Sequence, residues 1–217
     1  MKKTKIGILG TGDVGRALGV GFTSLGHEVK IGSREPAGDK VKALLGKIGH
    51  GATAGSFAEA AAFGEVVVLA TLWSGTESAI TLAGPQNLKG KVVIDATNPL
   101  VFTPNAPPAL ALGRTDSGGE QVQRWLPGAR VVKAFNIVGN AHMFKPSFPG
   151  GPPDMFICGN HADAKKVVTE ILTDFGWPSI DIGGIEGARL LEPLCILWVG
   201  YGVRTGTWNH AFKLLRT

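Results

Sequence analysis

Three glycines, Gly10-x-Gly12-x-x-Gly15, stand between a short apolar run, Lys5–Leu9, and an amphipathic stretch, Val14–Leu25. A strand that turns tightly into a helix uses such glycines in three ways. The first permits the turn, the second lets the backbone approach a pyrophosphate, and the third lets helix pack on strand. The helix N-terminus then offers unpaired N–H groups to an anion. The pattern alone is weak, and its plain alternative is an ordinary tight turn. In strand–turn–helix context it predicts dinucleotide binding.

The alternation begun there continues for 135 residues. Lys5–Leu9, Glu28–Ile31, Val66–Ala70, Val92–Ala96 and Arg130–Ala134 read as buried parallel strands, largely apolar on both faces. Between them, Val14–Leu25, Lys40–Leu45, Ser56–Phe63, Ser74–Ala83 and Glu120–Leu126 read as crossover helices. This order predicts an α/β protein with a Rossmann-type, doubly wound, mostly parallel sheet. Two segments rich in Pro and Gly, Thr103–Gly119 and Gly139–Pro153, read as long loops beside the carboxyl edge. Met155–Cys158 and Ser179–Ile182 then read as strands around a helix over Ala162–Phe175. Glu186–Val203 reads as an apolar helix bent or restarted at Pro193. The expected division is a dinucleotide-binding domain over 1–184 and a short C-terminal helical extension over 185–217.

Composition narrows the class. At about 100–200 residues per domain, 217 residues make one domain with at most a small appendage. With 44% hydrophobic residues the chain can bury a core, which excludes global disorder. Its 32 glycines follow no collagen-like period and fit a ligand held by backbone contacts. A net charge of +5 without a basic–aromatic run gives no case for nucleic acid. Cys158 and Cys195 form no C-x-x-C, and the five histidines show no metal-binding spacing, so no metal site is expected. The basic start Met1-Lys2-Lys3 precedes too short an apolar run for a signal peptide, and Leu190–Val203 is too short for a span. The expected setting is the cytoplasm, with no membrane contact and both thiols reduced.

The second strand selects the dinucleotide. An acid at its end would hold the ribose 2′-hydroxyl of NAD and repel a 2′-phosphate. Here the strand ends Ile31-Gly32-Ser33-Arg34. A hydroxyl and a planar guanidinium suit a phosphate, so NADP is favoured, with Glu35 one position on as the dissenting residue. Thr71 and Asn98 end later strands at the same edge, where they can bond a ligand or cap the next helix. Trp73 either shields a cofactor or is core.

No acid/base machinery stands out. The one tyrosine, Tyr201, is followed four positions on by Thr205, so a Tyr-x-x-x-Lys pair is absent. Lys133 and Asn136, three apart near a strand end, should point to opposite faces. We therefore assign no catalytic residue. A ring that manages its own charge as it takes up hydride needs chiefly proximity, orientation and a dry slot. The alternative is a non-catalytic NADP(H)-binding redox sensor.

Five segments together resemble the NADPH-dependent coenzyme F420 reductase family. They are Ile6–Gly15, Ile31–Arg34, Ile94–Pro99, Val131–Asn136 and Ile157–Gly159. The chain is also similar to the cytoplasmic oxidoreductase domain of the six-transmembrane metalloreductases. The resemblance implies that Gly10, Thr11, Gly12, Asp13, Val14 and Gly15 surround the pyrophosphate and that Ser33 and Arg34 take the 2′-phosphate. It further implies that Thr71, Leu72, Trp73, Asn98, Pro99, Ala134 and Asn136 surround the nicotinamide half. An F420 or flavin acceptor would lie over Asn136, Ile137, Val138 and Gly139, against the C-terminal helix. Leu190, Leu191, Leu194, Leu197 and Trp198, extended by Trp208 and Phe212, form an apolar stripe that either packs on the chain's own sheet or, as the resemblance to a family whose members tend to be homodimers implies, meets a second copy.

Overall fold

A computed structural model of the chain describes residues 3–104 and 106–217. Met1 and Lys2 of the basic start, and Asn105 of the first long loop, lie outside the described residues. The first half runs β1 (Lys5–Leu9), α1 (Asp13–Ser24), β2 (Glu28–Gly32), α2 (Asp39–Ile48), β3 (Ala52–Gly55), α3 (Phe57–Phe63), β4 (Val66–Leu69), α4 (Trp73–Ala83) and β5 (Val92–Asp95). The second runs β6 (Leu100–Val101), β7 (Ala109–Leu110), α5 (Gly118–Trp125), β8 (Arg130–Lys133), β9 (Met155–Ile157), α6 (Ala162–Asp174), β10 (Ser179–Asp181) and α7 (Ala188–Thr205).

Six parallel strands form the main sheet in the order β3-β2-β1-β4-β5-β8. The order reverses between β1 and β4, and in such sheets ligands bind outside the carboxyl ends at that point. Side chains alternate between two buried layers. Ile6, Ile8, Val29, Ile31, Val68 and Ile94 pack towards α1, α2 and α6. Leu9, Val67, Leu69, Val93 and Val131 pack towards α3, α4 and α5. Both faces of β4 and β5 are covered, which is why they carry no polar alternation, whereas β2, next to the edge, alternates Glu28 and Lys30 with buried Val29 and Ile31.

The structure departs from the sequence reading in four places. The edge strand β3, Ala-Thr-Ala-Gly, carries a single β-branched residue and forms because β2 has a free side to pair with. The first long loop contains β7, which pairs antiparallel with β6 just before the loop, and it ends earlier than expected. Ser117 caps α5 by accepting a hydrogen bond from Glu120 N, and Gly118 and Gly119 are already helical. The strands β9 and β10 pair with each other in parallel and join the main sheet through one antiparallel bridge, Lys133 to Cys158. Finally, α7 runs unbroken through Pro193, where a bend or restart was expected. Leu191 and Glu192 before the proline, and Cys195 and Trp198 after it, are all buried, so packing anchors the helix on both sides of it.

Candidate dinucleotide-binding edge

The turn from β1 into α1 owes its path to two glycines. Gly10 adopts φ 134°, and a Cβ there would stand 2.3 Å from the Ala70 carbonyl oxygen. A Cβ on Gly15 would stand 2.6 Å from the Gly10 carbonyl oxygen. Gly12 differs. It is exposed, has φ −81°, and a Cβ on it would meet nothing within 4 Å. Nothing inside the protein requires glycine there, so the open space above the α1 N-terminus suits a group approaching from outside. As the α1 N-cap, Gly12 supplies no side-chain acceptor to the first-turn N–H groups. Thr11 and Val14 flank it half-buried, while Asp13 is exposed and pairs with Arg16 at 3.0 Å.

At the end of β2, Ser33 N donates to Gly55 O, and Ser33 Oγ accepts from Glu35 N at 3.1 Å. The Ser33 hydroxyl proton therefore remains available to an anion. Arg34 is exposed beside it. These residues fit a 2′-phosphate: a hydroxyl donor and a guanidinium at the strand tip, beyond the glycine turn.

The next two strand ends lie further along the same edge. Thr71 Oγ1 and Thr76 Oγ1 are 2.9 Å apart, and the α4 N-cap is Leu72, which is 83% exposed. Asn98 Nδ2 donates to Asn136 O at 2.8 Å and is followed by β6 rather than a helix. Neither Thr71 nor Asn98 is a helix cap, which removes one of the two roles considered for each. Trp73 is half-buried and stacks on Trp125, ring centroids 5.5 Å apart. The two indoles line a surface hollow of about 310 Å³ with Glu77, Leu112 and Gln121.

Beyond β8, Ala134, Asn136, Ile137 and Val138 are all buried and Gly139 is half-buried. Phe135 adopts φ 63°, a left-handed conformation uncommon for a bulky residue. Asn136 Nδ2 donates to Asn98 Oδ1 and to Leu191 O, both at 3.0 Å. The Asn136 side chain thus ties β5 to α7. A Cβ on Gly139 would come within 3.0 Å of the Trp198 indole, so α7 closes over this loop.

The sequence reading missed a buried ionic cluster immediately below. Lys133, Asp95 and Glu192 are 0%, 0% and 1% exposed, with Lys133 Nζ 2.7 Å from Asp95 and 3.0 Å from Glu192. Burial alone would lower the Lys133 pKa, but the Asp95 and Glu192 carboxylates more than offset it and hold the ammonium above its ordinary value. Lys133 and Asn136 do not diverge as expected, because both reach neighbouring residues of α7. The legible signal was a charge inside each of three apolar segments: Asp95 in Val92–Ala96, Lys133 in Arg130–Ala134 and Glu192 in Leu190–Val203. Among the described residues no cluster of His, Cys, Asp and Glu is arranged to hold a metal ion, and no helix is long and apolar enough to cross a membrane.

Fold and edge together define a Rossmann-type dinucleotide-binding protein. Residues 5–99 match the family model described as NADP oxidoreductase coenzyme F420-dependent. The F420-dependent NADP reductase of Methanocaldococcus jannaschii is 33% identical over 92% of this chain and 93% of its own. The chain belongs to the F420-dependent NADP reductase family, whose members are NADP-dependent oxidoreductases. The solved structure of a candidate F420-dependent NADP-reductase from Arthrobacter sp. FB24 superposes with TM-score 0.92, at 39% identity over 98% of this chain and 100% of that one. Metalloreductase STEAP3 of Rattus norvegicus is 30% identical over 88% of this chain, which spans only 36% of that protein.

Proposed function

We propose that the protein passes hydride between NADP(H) and a deazaflavin, F420, or a flavin acceptor. The observation that carries the NADP half is the pairing of an open, exposed Gly12 with Ser33 and Arg34 at the neighbouring strand tip. The acceptor half is supported by the family and by relatives that are F420-dependent NADP reductases. When bound, the nicotinamide supplies or takes up the hydride.

The protein's own part is to bind and orient. Thr11, Gly12, Asp13 and Val14 hold the pyrophosphate at the α1 N-terminus, and Ser33 and Arg34 hold the 2′-phosphate. Thr71–Trp73, Asn98, Pro99 and Ala134–Asn136 surround the nicotinamide half. The acceptor ring lies over Asn136–Gly139 with α7 as its wall. Ile137 and Val138 are buried, so half-buried Gly139 offers the acceptor the most surface in this stretch. In this reading residues 1–184 bind NADP and residues 185–217 complete the acceptor site and the contact of a cytoplasmic homodimer. Leu190, Leu197, Tyr201 and Val203 of α7, each exposed, supply the apolar surface for that contact.

Mixing the protein with NADPH and, in turn, F420, FMN, FAD and a ferric chelate tests the reading. Loss of NADPH absorbance with F420 or a flavin supports it. Tight NADPH binding with no oxidation by any of the four points instead to the redox sensor.

A further inference from the structure

The buried cluster beneath the site has its hydrogen bonds fully assigned. Lys133 donates to Asp95 Oδ2 at 2.7 Å and Thr97 O at 2.9 Å, and meets Glu192 Oε1 at 3.0 Å, which accounts for all three ammonium protons. Asp95 Oδ1 accepts from Thr97 N at 2.9 Å and from Thr97 Oγ1 at 2.6 Å. The Glu192 carboxylate accepts from Gly118 N and Gly119 N, both at 2.9 Å, at the first turn of α5. A Cβ on Gly119 would stand 2.7 Å from Ala188 Cβ, so α5 and α7 meet this closely only because that position lacks a side chain.

Two layers of polar contacts therefore join the same three elements. In the lower layer Asp95 of β5, Lys133 of β8 and Glu192 of α7 are ion-paired. In the upper layer Asn98, Asn136 and the Leu191 carbonyl are hydrogen-bonded. Apolar residues of similar volume can stabilise such a site as well as a buried ion pair does. The lower layer, whose charged groups all have partners, adds something apolar packing lacks, a single allowed register, while Asn136 Oδ1 in the upper layer is buried without a partner. The element held in register is α7, which also places Trp198 against Gly139.

We infer that Glu192 is a positioning residue for hydride transfer. Through Lys133 and the α5 N-terminus it fixes α7 against the carboxyl edge of the sheet, and so sets how the acceptor sits over the nicotinamide half. This rests on the hydride-transfer reading above. The phosphate-binding residues Gly12, Ser33 and Arg34 lie at the ends of other strands, β1 and β2.

The test compares wild type with Glu192→Gln, which keeps one acceptor for the two α5 N–H groups and removes the charge. It adds the uncharged set Asp95→Asn, Lys133→Met and Glu192→Gln, in which no charge is left buried without its partner. Both proteins should bind NADPH within about twofold of wild type by calorimetry, since uniform binding is untouched. Turnover with F420 or FMN should fall roughly ten- to a hundredfold, the cost of misplacing reacting groups by part of an ångström or more. The acceptor KM should rise, and the isotope effect from 4-deuterated NADPH should increase as the transfer step becomes limiting. Turnover that falls only in step with the folded fraction, with KM and isotope effect unchanged, would overturn the inference. A wild-type protein that binds NADPH but reduces no acceptor would overturn the hydride reading, and the positioning role with it.

Discussion

Asn98 and Asn136 clasp each other across the carboxyl ends of β5 and β8. Asn98 Nδ2 donates to the Asn136 carbonyl at 2.8 Å, and Asn136 Nδ2 returns a bond to Asn98 Oδ1 at 3.0 Å. The second amide proton of Asn136 goes to Leu191 O, so one side chain fixes two strand ends and the C-terminal helix. Replacing Asn136 by Ala should cost about 1–3 kcal/mol of folding stability, because buried acceptors are left unpaired. Urea unfolding of the variant measures this, and an unchanged midpoint would show that the clasp contributes nothing.

Gly12 separates binding from folding. Its Cβ would meet no protein atom, so Gly12→Val should leave the unfolding midpoint within about 0.5 kcal/mol of wild type. NADPH affinity should nevertheless drop at least about tenfold, because the side chain occupies the approach to the α1 N-terminus. Gly10→Ala should behave oppositely, losing stability through the clash with Ala70 O. Thermal melts with and without NADPH distinguish the two.

Arg34 should discriminate between cofactors. Arg34→Ala should weaken NADPH binding by roughly 1.5–3 kcal/mol, the range of a charge-assisted hydrogen bond, and leave NADH unchanged. Parallel calorimetric titrations measure both, and equal losses would remove Arg34 from the 2′-phosphate site.

The fold should lose stability in mild acid through His27. Its ring is 3% exposed, Nδ1 accepts from Thr4 N, and Nε2 is buried without a hydrogen-bond partner. Burial lowers its pKa below the ordinary 6.5, and Asp174 opposes this only in part. The unfolded chain therefore takes up a proton near pH 6.5 that the folded chain refuses until lower pH. The stability this gives is complete above that value and is lost as pH falls from 6.5 towards the folded pKa. Denaturant midpoints at neutral and mildly acidic pH should fall less in His27→Gln than in wild type. An equal fall in both would assign the acid sensitivity elsewhere.

Cys158 and Cys195 should be inert in the native protein. Burial pushes both thiols up to about 12, so almost no thiolate exists at neutral pH. Iodoacetamide should modify neither until denaturant is added, and rapid native labelling would contradict their placement.

Much of this was legible in the sequence where a single physical cause acts locally. The five apolar strands and the glycine turn followed from burial on both faces and from backbone sterics. Segments whose structure depends on a distant partner were not legible. The edge strand β3 exists because β2 has a free side, and Pro193 stays helical because Leu191, Glu192, Cys195 and Trp198 are anchored around it. The apolar stripe of α7 likewise divided on folding: Leu191 and Trp198 are buried, while Leu190 and Leu197 face outward at 68% and 60% exposure. The Asp95–Lys133–Glu192 cluster spans nearly a hundred positions, and each of its charges alone looked like an exception in an apolar run.

The account stands most directly on NADPH uptake at the tips of β1 and β2. Titration of the folded protein with NADPH in a calorimeter should show saturable binding of one molecule per chain, much tighter than NADH and weakened at least about tenfold by Gly12→Val. The absence of binding heat with either dinucleotide, for a protein that melts cooperatively, would contradict it.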